Sequence, residues 1–316
     1  MTKYLINRLF TMVVSLFGVT VIVFLLIRLI PGTIVEQMLG TEALTSYETV
    51  ESLRRYFGLD QPIYIQYLQW ISRVLRGDLG QSWRTAIPVV QFIMQRLPVT
   101  VELTFIAILV AVLIGVPAGI ISALKQDSWL DGLARLASLI GLSIPVFWQG
   151  TMLILLLSLA LHWAPAIEWV APQQDLVKNM NMMLLPGFCL GTASAAVVMR
   201  MTRSSMLDVL RQEYIRTARA KGLHEPAVLV AHALKNALIP VITVIGLQIG
   251  YLLGGTVVVE EVFGLPGIGR LTLWAIFQRD YPTVQGTVLF IAVMFMSVNL
   301  LVDVLYAFLD PRIRYG

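Results

Sequence analysis

Six stretches of the sequence carry almost no charge and run for close to twenty residues or more: about 9–30, 99–122, 136–161, 182–200, 239–259 and 285–309. A helix needs about 20 largely apolar residues to cross roughly 30 Å of hydrocarbon. The pattern therefore predicts an all-α polytopic membrane protein with six transmembrane helices. The first stretch follows Lys3 and Arg8 and is too long for the apolar core of a cleaved leader. No small-x-small cleavage site comes after it, so it reads as a retained span.

Between the first two spans, residues 31–98 alternate polar and apolar positions with helical spacing. Thr45 and Glu48 have the spacing of a capping box ahead of Val50, Leu53 and Phe57. After Pro62, Tyr64, Tyr67, Leu68, Ile71 and Leu75 repeat that period, and Pro88 can open a third short helix, PVVQFIMQR. The expectation is a small helical extracytoplasmic segment; the alternative is an amphipathic element lying on the membrane surface. The chain thus divides into 1–30 (N-terminal segment and first span), 31–98, and a core of 99–316 that contains a basic loop at about 201–238.

Composition agrees with a membrane protein. Hydrophobic residues make up 57% and charged residues 13%, where an average soluble domain carries about 25% charged. The net charge of +4 bears on orientation rather than on nucleic acid, and no nucleic-acid partner is expected. Lys3, Arg8, Lys125, Arg135, seven basic residues from Arg200 to Lys235, Arg312 and Arg314 fall on one side of the six spans. Only Lys178, Arg270 and Arg279 fall in the two short loops opposite. The bias of Lys and Arg toward the cytoplasm places both termini there. Cys189 has no second cysteine to pair with.

The basic loop, EYIRTARAKGLHEPAVLVAHALKNALIP (213–240), sets a dense cluster of positive charge between two long apolar runs. Helical sequence runs from Arg200 through Lys221, Gly222 suits a left-handed helix end, and Pro226 suits the first turn of a second short helix reaching Pro240. Attraction to anionic lipid would explain the charge, but neither the break nor the apolar face of the second helix. A protuberance that docks into another protein explains all three.

Chemistry of other kinds finds no support. A phosphate-binding loop needs Gly-Lys, and no such pair occurs; GLPGIGR (264–270) is glycine-rich but lacks the Lys and reads as a tight turn. His162, His224 and His232 lack zinc-ligand spacing. In span five, Gly246, Gly250 and Gly254 recur every four residues beside Gln248 and Tyr251. That stripe serves either a path and subunit interface or packing within the chain's own bundle. Glu102, Glu260 and Glu261 lie near the outer boundary, where interfacial solvation accounts for them better than substrate contact does. Asn299 and Asp303 read as helix packing near the inner boundary.

Six segments in this order resemble the membrane subunits of ATP-binding-cassette importers for dipeptides and oligopeptides, the first of the two permease types in particular. They are FGLDQPIYIQYLQWISRVLRGDLGQSW (57–83), GLSIPVFWQG (141–150), EYIRTARAKGL (213–223), HALKNALIPVIT (232–243), LGGTVVVEEVFGLPGIG (254–269) and NLLVDVLYAFLDPRIRYG (299–316). The resemblance spans nearly the whole chain and implies the type I importer permease fold. It also implies that Arg216, Thr217, Ala218, Arg219, Ala220, Lys221, Gly222, Leu223, His232 and Leu234 form the loop that couples to a partner ATPase. The general importer pattern E-A-A-x3-G-x9-I-x-L-P keeps Ala218, Gly222 and Leu234; Arg216, Thr217, His232 and Lys235 replace its Glu, first Ala, Ile and Pro. At Pro31-Gly32 the chain continues Thr33-Ile34 where relatives often have Asp-Pro.

Gly246, Gln248, Gly250, Tyr251 and Gly254 would then line the translocation path or subunit interface. The implied partners are a second, homologous permease, two ATPase subunits, an extracytoplasmic solute-binding protein and membrane lipid, in a bacterial inner membrane. ATP and Mg would sit on the partners, with no cofactor on this chain, which would be a transport subunit and not an enzyme. The competing readings are an ion-driven secondary transporter or channel, a scaffolding subunit, or the same importer type carrying glutathione or a nickel complex. No acid sits centrally in any predicted span, which weighs against the ion-driven reading.

Overall fold

A computed structural model of the chain describes residues 2–29, 35, 47–56, 58–165 and 168–309. Thr45, Phe57, the turn at 31–34, and Arg312 and Arg314 lie outside the described residues, as does the side chain of Glu48.

Helix α1 (Thr2–Leu29) is the first span. The segment after it contains α2 (Tyr47–Tyr56) and α3 (Ile63–Val74). The expected third short helix is instead the start of α4, which runs unbroken over Val89–Leu124 with Pro98 and Pro117 inside it. Each proline removes one backbone donor, a loss that neighbouring helices in a membrane bundle offset.

Span three is broken. Ile144 is extended (ψ 122°), the conformation favoured for a residue before proline, and Pro145 starts the next helix with φ −60°. Helices α5 (Trp129–Ser143) and α6 (Val146–Leu161) therefore meet at 100° where one continuous span at 136–161 was expected. Five described helices are long and apolar enough to cross a membrane, and this bent pair makes a sixth if it counts as one span.

Helix α7 (Leu176–Leu210) carries span four. A break at Arg211 and Gln212 precedes α8 (Glu213–Ala220), so the helix expected from Arg200 to Lys221 is two helices. After the turn, α9 (Glu225–Ala227) leads through a π-helical turn (Val228–Leu234) directly into α10 (Lys235–Gly255). The second short helix and span five are thus continuous, and Pro240 lies inside the helix rather than at its start. Helices α11 (Val257–Val262) and α12 (Ile268–Phe277) precede the last span, α13 (Tyr281–Leu309).

Two parallel helices, α4 and α7, form the spine. Gly187 and Gly191 of α7 let Ile106 and Val110 approach. Gly115 and Gly119 of α4 do the same for Val198 and Thr202, so that a Cβ at any of the four would sit within 3 Å of its neighbour. Helix α13 runs antiparallel to α10 and to α1. Arg8 of α1 pairs with Asp303 of α13 at 3.1 Å, while Val23 and Ile27 pack on Tyr281 and Val284 at the other end. Arg8, Asp303, Lys125 and the whole of 211–235 consequently lie at one end of the bundle, called here the basic end.

Candidate coupling site

The basic end is built on one apolar cluster. Ala123 of α4, Met206 of α7, Ile215 and Ala218 of α8, Val228 and Ala233 of the π turn and Ala237 of α10 are all buried together. Positions 215 and 218 are three apart, so α8 lies flat with one stripe inward and the rest outward. Arg216, Thr217, Arg219, Ala220, Lys221, Gly222, Leu223 and His232 are exposed; Ala218 is buried and Leu234 half-buried. The ten residues marked by the sequence thus separate into an outward face and two anchors.

Gly222 ends α8 with φ +78°, and a Schellman pattern closes the turn. Its N–H donates to Arg219 O at 2.9 Å and the Leu223 N–H donates to Ala218 O at 3.4 Å. Arg219 then reaches across the turn, donating from Nη2 to Glu225 Oε1 at 2.7 Å and from Nε to Oε2 at 3.2 Å. This hydrogen-bonded carboxylate raises the Arg219 guanidinium above its ordinary pKa. Asn236 Nδ2 donates to the Tyr214 hydroxyl at 3.1 Å and to His232 O at 2.9 Å, tying α8 to the π turn. Space above Gly222 is open: a Cβ there would meet nothing within 4 Å.

Beside this cluster lies a constellation that sequence reading passed over. Asp131 is wholly buried at the start of α5. It accepts hydrogen bonds from Ser122 of α4, from the Asp127 N–H, and from Arg203 of α7 (Nε and Nη2, 2.8 Å each). Arg135 approaches at 3.4 Å. A lone Asp at a span boundary gives no periodic signal; the buried pair is a product of tertiary contact.

In span five the three glycines face α13. A Cβ at Gly246 would lie 2.2 Å from Val302, one at Gly250 3.2 Å from Phe295, and one at Gly254 3.3 Å from Ile291. The stripe packs within this chain, whereas Tyr251 is exposed and Gln248 half-buried.

The opposite end corrects the reading of Glu260. This carboxylate is fully buried, not solvated at the interface. It accepts from Thr100 Oγ1 and Thr256 Oγ1, each at 2.8 Å, and from the Arg270 N–H at 2.9 Å, while the Thr100 hydroxyl accepts from the Ile268 N–H. Together they satisfy two of the free donors at the start of α12, the Ile268 and Arg270 N–H groups. A Cβ at Gly267 would fall 2.2 Å from Glu260, which explains the second glycine of GLPGIGR. Glu261 pairs with Arg270 at 3.3 Å, and Glu102 accepts from Trp169 Nε1 at 3.2 Å. Asp280 is likewise buried at the start of α13 and accepts from Ser82, the Trp83 N–H and Thr283. His162 lies at the end of α6, apart from His224 and His232 in the basic loop.

Relatives are similar along the entire length. A dipeptide transport system permease protein of Alkalihalophilus pseudofirmus is 42% identical, covering 100% of both chains. A di/tripeptide transport system permease protein of Pseudomonas aeruginosa is 42% identical over 100% of this chain and 99% of its own. A glutathione transport system permease protein of Escherichia coli is also 42% identical, over 100% of both. Residues 1–104 match the N-terminal family of binding-protein-dependent transport system membrane components. With residues 115–315 matching the binding-protein-dependent transport system inner membrane component, the chain belongs to that family of importer permeases.

Proposed function

We propose that this chain is the membrane subunit of an ATP-driven importer for small peptides, moved by a partner ATPase seated on the outward face of α8 and the Gly222 turn. The observation that carries the reading is the anchoring of α8. A short helix fixed by Ile215 and Ala218 to the ends of α4, α7 and α10 turns a push on its exposed face into a push on three spans at once. A loop serving only to attract lipid would need no such anchor.

ATP and Mg are held by two ATPase subunits in this proposal. A second, homologous permease completes the path, a solute-binding protein delivers cargo on the far side, and both termini face the cytoplasm. ATP-driven closure of the ATPases then shifts a two-state equilibrium between inward-open and outward-open forms. Gln248 and Tyr251 remain on the path side of span five, while Gly246, Gly250 and Gly254 hold α10 against α13. The substrate class rests on the relatives' names, all of which denote peptides, glutathione included.

Uptake of labelled dipeptide by proteoliposomes holding this chain and its co-purifying subunits, with the binding protein outside, tests the reading. Accumulation only with enclosed ATP is expected. Accumulation without ATP, driven by an ion gradient, would overturn it.

A further inference from the structure

A cavity of about 300 Å³ opens between α5 and α7 at the basic end, lined by Arg135, Ser138, Leu139, Met199, Arg200, Arg203 and Ser204. Three arginines thus line one small space. Asp131 engages Arg203 and Arg135, and Asp127 is near enough to act on Arg203. Counting both carboxylates, the site keeps one guanidinium in excess. That surplus is Arg200, which is exposed and has no hydrogen-bond or ion-pair partner among the described residues.

The depth of the cavity in the membrane follows from the sequence. Residues 179–199 of α7 are uncharged and end at Arg200; residues 136–167, from α5 onward, are uncharged and begin after Arg135. The two arginines therefore mark the same boundary between hydrocarbon and headgroups. Leu139 and Met199 lie on the hydrocarbon side of it. Leu133, Leu136 and Ile140 continue an exposed apolar face along α5. Charge below, apolar wall above and a volume of this size match a phosphodiester carrying acyl chains.

We propose that this cavity holds the headgroup phosphate of an anionic phospholipid from the surrounding membrane. Arg200 supplies the charge, with Arg135 and Arg203 flanking it. The inference is independent of what the chain transports. Since Arg203 also binds Asp131, the lipid would rest on the same side chains that join α4, α5 and α7 beside α8.

The test reconstitutes the full chain, with its co-purifying subunits, in vesicles of equal phosphatidylglycerol and phosphatidylethanolamine, re-extracts it, and quantifies retained lipid by mass spectrometry. Phosphatidylglycerol should be enriched in the wild type. Arg200→Gln should lower that enrichment about fivefold, the ~1 kcal/mol that one cation contributes at an anionic surface. Arg211→Gln, an equal charge change at the same end outside the cavity, should leave it unaltered. Thermal unfolding of Arg200→Gln would confirm that the fold survives. No enrichment in the wild type would overturn the proposal. So would enrichment that persists in the Arg135→Gln/Arg200→Gln double variant, or that falls equally with Arg211→Gln. Loss of the preference on adding millimolar inorganic phosphate would assign the site to free phosphate instead of lipid.

Discussion

At Gly222 the backbone, not the surrounding space, sets the constraint. An L residue at φ +78° costs about 1–2 kcal/mol, least for Asn and Asp, which adopt the left-handed region through local hydrogen bonds. Because a side chain there meets nothing in this chain, Gly222→Asp should insert and fold while transport is abolished. ATP-dependent uptake at the wild-type rate by that variant would remove the turn from the coupling role. Glu260 gives the opposite case, a residue fixed by its surroundings. Glu260→Ala would orphan two hydroxyls and an N–H in a buried space, at about 1–3 kcal/mol for each donor left unsatisfied. Thermal unfolding in detergent should drop markedly for Ala and less for Glu260→Gln, which retains one acceptor oxygen. Equal melting of the three forms would mean that the carboxylate does not hold α12.

Helix α8 is eight residues long, far below the length at which an isolated helix is stable in water. Its order derives from Ile215 and Ala218. Ile215→Ala removes a fully buried side chain and should cost about 2–5 kcal/mol locally. Hydrogen exchange of the 213–222 amides should rise while the amides of α4 and α7 stay protected; unchanged exchange would show that α8 does not depend on this anchor. The break at Gly222 was legible in the sequence because glycine at a helix end has a local cause. So were the spans, which composition alone dictates. The bend at Pro145 was legible only as a weakness: proline permits a break, but Gly150 packing on Phe263 and Gln149 hydrogen-bonded to Thr192 fix where α6 goes. The glycine pairs 115/119 and 187/191 carry the same four-residue spacing as 246/250/254, and reading that spacing everywhere would have found the spine. Asp131, Glu260 and Asp280 were not legible, since each owes its burial to at least one partner far away in the sequence: Arg203, Thr100 and Ser82.

Across the whole molecule, the segment between the first two spans is attached to the last one. Ser82 and the Trp83 N–H bind Asp280, and Arg84 Nε donates to Gln278 O at 3.1 Å. Asp280→Ala should therefore make residues 76–88 susceptible to limited proteolysis without loss of membrane insertion; resistance equal to the wild type would show that the segment is held by other contacts. A mechanical consequence follows from the spine. Helix α4 is 36 residues long, or about 54 Å at 1.5 Å per residue, and its weak points are Pro98 and Pro117. The weak point of α7 is Pro186, which lies level with residue 105 of α4, between those two. Each hinge in one helix is splinted by unbroken helix in the other, and the glycine contacts prevent the two from sliding. The pair thus behaves as a laminated beam with α8 bolted to one tip and the Thr100–Glu260 contact toward the other end. A displacement at the first tip arrives at the second as a tilt, with little lost to bending in between.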